Sequence, residues 1–132
     1  MKVEEQEFDN VVLLQPTNPL RPKNLLKEAF NKFKQGNFDN LITVSSNRQK
    51  FGKIIDGKYV PYNYSMGQRS QDLDPLYFEN GLLYIYKAEL ISKGMDDGPN
   101  NFPFIVDHPF SKIDIDTEED FEYARFILNK YF

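Results

Sequence analysis

The sequence predicts an α/β domain with a mostly parallel sheet, and three observations carry that prediction. VVLLQ, residues 11–15, is a continuous apolar run of strand length, the pattern of a strand buried on both faces. Leu25, Leu26, Ala29, Phe30 and Phe33 then recur at helical spacing, as one face of an amphipathic helix requires. Further strand-like runs alternate with helical segments to the end of the chain, the order expected when helices cover a parallel sheet.

Each element has its own signal. Residues 2–8 read as the polar tail of a helix anchored by Phe8. Pro22 fits the first turn of the next helix, and Gly36 fits its end. LITVSS (41–46) is a second strand. KIIDGKYV (53–60) holds Asp56-Gly57 between two β-rich pieces, a strong hairpin signal because both turn residues must adopt positive φ. Residues 61–76 have no period and read as a long loop or arm. GLLYIYK (81–87) is a strand, KAELISK (87–93) a short helix and MDDGPNN (95–101) a turn cluster. FPFIV (102–106) and KIDI (112–115) are short strands. Thr117 with Asp120 three residues on reads as a helix start, and the last helix is expected to bury Phe121, Ala124, Ile127, Leu128 and Phe132.

Composition narrows the class. The 132 residues fit one domain, 1–132, able to bury roughly 65–70% of its unfolded surface. The net charge of −4 argues against a nucleic-acid polymer as partner. No apolar run approaches the length of a membrane span, and the acidic start is not a signal peptide. There is no cysteine, which excludes disulfides and thiolate chemistry. A cytoplasmic location is the simplest expectation.

Two clusters can carry chemistry. In IDIDTEEDF, Asp114 and Asp116 lie two apart and share one side of an extended chain. Adjacent carboxylates repel unless a cation lies between them, and a hard ion such as Mg²⁺ suits them. Glu118, Glu119 and Asp120 are better explained as a solvated helix entrance favoured by the helix dipole, a reading that serves Asp114 and Asp116 as well as a metal does. In the second cluster, 68–81, Arg69 suits a carboxylate or phosphate, Gln71 suits hydroxyls, and Asn80-Gly81 would let backbone approach a ligand closely. Lys50 is a candidate anion contact, and His108, the single histidine, is assigned no catalytic role. Tyr59, Tyr62, Tyr64 and Met66 form an apolar stripe of the kind that meets a partner surface. Ligands of such sheets bind at the carboxyl ends of strands, which is where Gln15 and its loop would lie.

LLQPTNPLR, RSQDLDPLYFENGLLYI and IDIDTEEDF occur in the order of three motifs of the acylneuraminate cytidylyltransferases, and the sequence resembles that family over most of residues 8–132. The resemblance implies a partial Rossmann-like fold of the nucleotide-diphospho-sugar transferase type, with 50–76 as a hairpin arm for homodimerisation. It implies transfer of CMP from CTP to a nine-carbon 2-keto sugar acid of the sialic, legionaminic or pseudaminic type, with Mg²⁺. Gln15, Thr17, Asn18, Lys50, Gln71, Tyr77, Phe78 and Asn80 become substrate contacts, Asp114, Asp116 and Arg69 catalytic residues, and the two aspartates metal ligands. Asn18 replaces the family's usual serine, and Ser70 interrupts its Arg-Gln pair. The family's Gly-rich, basic nucleotide loop does not occur in this sequence. The expectation is therefore a C-terminal portion, inactive by itself, with an exposed edge at the VVLL strand. The alternative is a non-catalytic partial domain that dimerises as an interaction module. A Kdo-activating enzyme fits less well, because that family's motifs differ.

Overall fold

The computed structural model describes residues 7–94 and 98–132. The expected helix tail at 2–8 falls largely outside the described residues, and so does the start of the 95–101 turn cluster. The chain forms two compact units, one comprising the chain up to Ser45 together with Glu79–Phe132, the other Ser46–Phe78.

The first unit is built on a four-stranded sheet. Its strands are β1 (Asn10–Leu13), β2 (Asn40–Asn47), β5 (Leu76–Lys87) and β6 (Asn101–Ile105), in the order β1-β5-β2-β6. The sheet contains both kinds of pairing: β1 pairs antiparallel with β5, and β2 pairs parallel with β6. Position in the sheet also corrects the burial pattern. β1 lies at the edge, and Val11, Val12, Leu13 and Leu14 are 38–47% exposed. The strand buried on both faces is instead β5, where Leu82, Leu83 and Ile85 are wholly buried. Both are continuous apolar runs, and sequence periodicity cannot rank one against the other.

Helix α1 (Leu25–Gln35) packs Leu25, Ala29 and Phe33 against Leu41 of β2 and Leu82, Leu83 and Ile85 of β5. Pro22 does not start this helix: Leu25 N–H bonds to its carbonyl in a preceding turn, and Asn24 is the N-cap at φ 67°. Gly36 closes the helix as expected, for a reason of space. A Cβ there would lie 2.1 Å from the ring of Phe38. An apolar groove of about 640 Å³ is lined by Val12, Leu14, Leu26 and Phe30.

The short helix α2 (Ala88–Ser92) follows β5, and α3 (Glu118–Tyr131) ends the chain. A second apolar cluster joins Leu20, Phe110 and Ile113 to Ala124 and Ile127 of α3. Phe121, Leu128 and Phe132 are 43–61% exposed, although the Phe132 ring rests against Phe110 at 4.9 Å, so the buried stripe of α3 is narrower than its spacing suggests. KIDI is not a sheet strand; Lys112 closes a turn over 109–112, and 113–115 form no regular element.

Thr117 and Asp120 form a full capping box. Thr117 Oγ1 accepts the Asp120 N–H (3.1 Å), and Asp120 Oδ2 accepts the N–H groups of Thr117 (3.0 Å) and Asp116 (3.1 Å). These bonds, led by the one from Asp116, hold the Asp120 carboxyl below its ordinary value of 3.8. A carboxyl depressed on folding stabilises above its unfolded pKa, and that contribution disappears as pH falls through the lower folded value. The start of α3 is thus expected to loosen below about pH 4. Thr117→Ala is expected to cost about 1 kcal/mol in urea unfolding at neutral pH. An unchanged midpoint would deny the cap its role.

The second unit contains the expected hairpin. β3 (Gly52–Ile55) pairs antiparallel with β4 (Lys58–Pro61), and Asp56 (φ 51°) and Gly57 (φ 73°) make the turn. Asn63 bridges the hairpin base, donating to Gln49 O (2.9 Å) and accepting from Phe51 N–H (2.6 Å). Ser70–Asp72 form a single 3₁₀ turn.

Candidate active site

In the first unit, three segments far apart in sequence meet. The loop after β1 turns through Asn18 N–H to Gln15 O (3.2 Å), with Pro16 and Pro19 flanking the Thr-Asn pair. Ile115 N–H donates to Thr17 O (2.8 Å), and Asn18 Nδ2 donates to Ile113 O (3.1 Å). Gly81 is the third piece. At φ 72° it brings bare backbone against this loop, and a Cβ there would lie 2.5 Å from Gln15 Oε1 and 2.6 Å from Asn18 Oδ1. The close approach expected at Asn80-Gly81 is therefore made to the protein's own side chains.

Arg21 fastens the loop, donating from Nε to Leu82 O (2.8 Å) and from Nη2 to Gln15 O (2.9 Å). Burial lowers its pKa, and an arginine stays charged regardless.

Behind Gly81 lies a buried polar network. Asn80 Oδ1 accepts from Thr43 Oγ1 (2.7 Å) and Leu82 N–H (3.1 Å), and Nδ2 donates to Ser45 Oγ (3.0 Å). Asn80 is 5% exposed. Its amide is committed inside the protein, so its expected role as a substrate contact gives way to a structural one. Asn18, equally buried, also spends its amide internally, with Thr17 Oγ1 donating to its Oδ1 (3.1 Å). Sequence reasoning missed the network. Its signal was Thr43 and Ser45 inside an apolar strand, since buried hydroxyls need partners. Nearby, Tyr84 donates to Glu79 (3.2 Å), and burial together with the Glu79 charge pushes its phenol up to about 12.

Asp114 and Asp116 are exposed, while Ile113 between the turn and Asp114 is buried and Ile115 packs beside it. Alternation thus puts both carboxylates outward as the spacing predicts, even though the segment is not a strand. Among the described residues no group of three or more His, Cys, Asp or Glu could hold a metal. Two carboxylates fit Mg²⁺ only as part of a shell that water or phosphate oxygens complete.

The second unit holds the other predicted residues. Arg69 pairs with Asp72 (2.9 Å) at side-chain exposures of 70% and 49%, an open pair that a stronger ligand can displace. Lys50 donates to the carbonyl of Gln68 and lies 5.2 Å from the ring of Tyr64. Gln71 and Tyr77 line a cleft of about 510 Å³ together with Arg48, Ser70, Asp74 and Leu76. Phe78, next to Tyr77, is half-buried.

No protein-family model matches the chain. Known proteins do. It is 31% identical over 129 residues to post-translational flagellin modification protein B of Campylobacter coli, covering 94% of this chain and 54% of that protein. It is 32% identical over 124 residues to an N-acylneuraminate cytidylyltransferase of Streptococcus agalactiae, covering 89% and 29% respectively. A pseudaminic acid cytidylyltransferase of Campylobacter jejuni is 26% identical, with 96% and 57% covered. The chain thus spans little more than half the length of the Campylobacter relatives, and less of the streptococcal one. Among solved structures, 4-diphosphocytidyl-2C-methyl-D-erythritol synthase of Anaerococcus prevotii superposes with a TM-score of 0.58 at 15% identity, covering 92% of this chain and 59% of that one. That likeness is one of fold, an α/β architecture shared with that synthase. Over the residues it spans, the chain belongs to the acylneuraminate cytidylyltransferase family.

Proposed function

We propose that this chain carries the sugar and metal side of a site that transfers CMP from CTP to a nine-carbon 2-keto sugar acid, releasing pyrophosphate. The observation that carries the reading is the meeting of the Gln15–Asn18 loop with Ile113–Ile115, tied by hydrogen bonds. It sets a neutral hydrogen-bonding loop beside two outward carboxylates. A polyhydroxylated acid and a phosphate-bound cation need such a neighbourhood.

In the reaction the anomeric hydroxyl attacks the α-phosphorus of CTP. A new P–O bond forms, the bond to the bridging oxygen of pyrophosphate breaks, and the hydroxyl proton passes to water. Gln15 orients sugar hydroxyls, and Thr17 shapes the loop. Asp114 and Asp116 would hold Mg²⁺, which when bound supplies positive charge to the phosphate oxygens. Asp114 also orients the attacking hydroxyl. Arg69, released from Asp72, meets negative charge on the nucleotide, and Lys50 the acid or phosphate. Catalysis of this kind is chiefly positioning and charge stabilisation. A reaction that consumes CTP belongs in the cytoplasm. No helix among the described residues is long and apolar enough to cross a membrane.

The test combines sugar-acid binding with pyrophosphate release, using CTP, Mg²⁺ and a panel of sialic, legionaminic and pseudaminic acids. Release with one acid would make this chain a complete catalyst. Binding without release would leave it as the sugar-recognising part. Neither binding nor release would overturn the reading in favour of a non-catalytic interaction module.

The hairpin supports a homodimer in either case. Ile54 is 81% exposed, Met66 77% and Tyr62 66%, more apolar surface than an arm meeting only water should carry. Light scattering is expected to give a dimer mass, and Ile54→Asp to shift it toward monomer. A wild-type chain that stays monomeric at high concentration would refute the arm's role.

A further inference from the structure

We propose that Arg48 anchors the carboxylate of the sugar acid within the cleft of the Ser46–Phe78 unit. The proposal rests on the sugar-acid reading above and deepens it by naming the cation that selects for an acid.

Lys50 and Arg69, the two named from sequence, have partners in the protein, the Gln68 carbonyl and Asp72, which they must give up to meet a ligand. Arg48 is the cation among the residues that line the cleft. It makes no hydrogen bond or ion pair among the described residues. Its backbone, by contrast, is held. Asn47 Nδ2 donates to Gln49 O (3.0 Å) and Gln49 N–H donates to Asn47 Oδ1 (3.2 Å), closing a bend around Arg48. Asn63 adds a further bond to Gln49 O (2.9 Å). The held backbone fixes where the side chain starts, and the uncommitted guanidinium has no partner to give up when an anion arrives.

The rest of the cleft suits what a sugar acid carries besides its carboxylate. Ser70 and Gln71 offer donors and acceptors for hydroxyls, and Leu76 and Tyr77 offer apolar surface for an acyl group. Asp74 also lines the cleft, yet it is not ion-paired with Arg48. It is left to accept from hydroxyls while Arg48 takes the anion. The volume of about 510 Å³ lies in the range of small-molecule sites. Arginine is the cation whose planar fork matches a carboxylate in two parallel hydrogen bonds.

The experiment is an NMR titration of the ¹⁵N-labelled chain with N-acetylneuraminic acid and, separately, with its uncharged carboxamide. The acid is expected to shift the Arg48 side-chain Nε–H signal and the amides of Ser70, Gln71 and Tyr77. The carboxamide is expected to bind about 10-fold or more weakly. Arg48→Gln is expected to weaken the acid by about 10- to 100-fold, and Arg48→Lys by less, because charge remains and the fork is lost. The dispersion of each variant's spectrum reports whether it is folded. Binding of the acid by folded Arg48→Gln within twofold of wild type would overturn the proposal and leave the sugar-acid reading standing. Equal binding of acid and carboxamide would do the same. No binding by wild type of N-acetylneuraminic, legionaminic or pseudaminic acid would overturn both.

Discussion

Gly81→Ala is expected to destabilise the first unit by about 3 kcal/mol, summing a left-handed conformation at about 1–2 kcal/mol and an overpacked contact at about 1–3. The left-handed φ of 72° and the Gln15 and Asn18 oxygens within 2.6 Å of the new methyl act together. Asn18 does not yield easily, being 5% exposed with its amide bound to Ile113, whereas the Gln15 side-chain amide must swing aside. Urea unfolding at neutral pH measures the loss, and a change under about 1 kcal/mol would mean the loop relaxes freely. The same substitution should disturb sugar-acid binding in whatever protein remains folded, because the displaced group is Gln15.

Asp116→Asn is expected to lower pyrophosphate release about 100-fold or more, whether measured in this chain or in a chimera that supplies a nucleotide loop. A cation's charge stabilisation is worth several kcal/mol, and each 1.36 kcal/mol is a factor of ten in rate. Folding should be indifferent, since the Asp116 side chain is exposed and makes no hydrogen bond; only its backbone N–H joins the α3 cap. Mn²⁺ gives a readout independent of turnover. It should broaden the amides of residues 113–117 in wild type and fail to do so in the variant. Activity within a few-fold of wild type would remove Asp116 from the metal role.

The two predictions test different kinds of legibility. Asp116 was readable because spacing survives local irregularity: Ile113 is buried and both aspartates stay outward although no sheet strand forms. Gly81 was legible only as a tight place; that its neighbours are Gln15 and Asn18 depended on a contact across more than sixty residues. Asn80 shows the converse. Its side chain looked available in sequence and is spent on Thr43, Ser45 and Leu82, since nothing in ENG announces which strand lies alongside. Arg48 was passed over because a surface arginine carries no local signature, and only the commitments of Lys50 and Arg69 set it apart.

By itself the sequence determined what short-range physics controls. The period of α1, the Asp56-Gly57 turn, the Thr117–Asp120 cap and the motifs that mark the family all express interactions within a few residues, where side-chain spacing and backbone preference decide. Tertiary structure alone decided the rest. Two apolar runs alike in sequence became an edge strand and a buried strand because strand order is set by which surfaces can be covered together, and the run itself does not record it. Which polar groups remain open to a ligand is settled the same way: a buried amide must find its hydrogen bonds wherever the fold supplies them, and what is left over is the site.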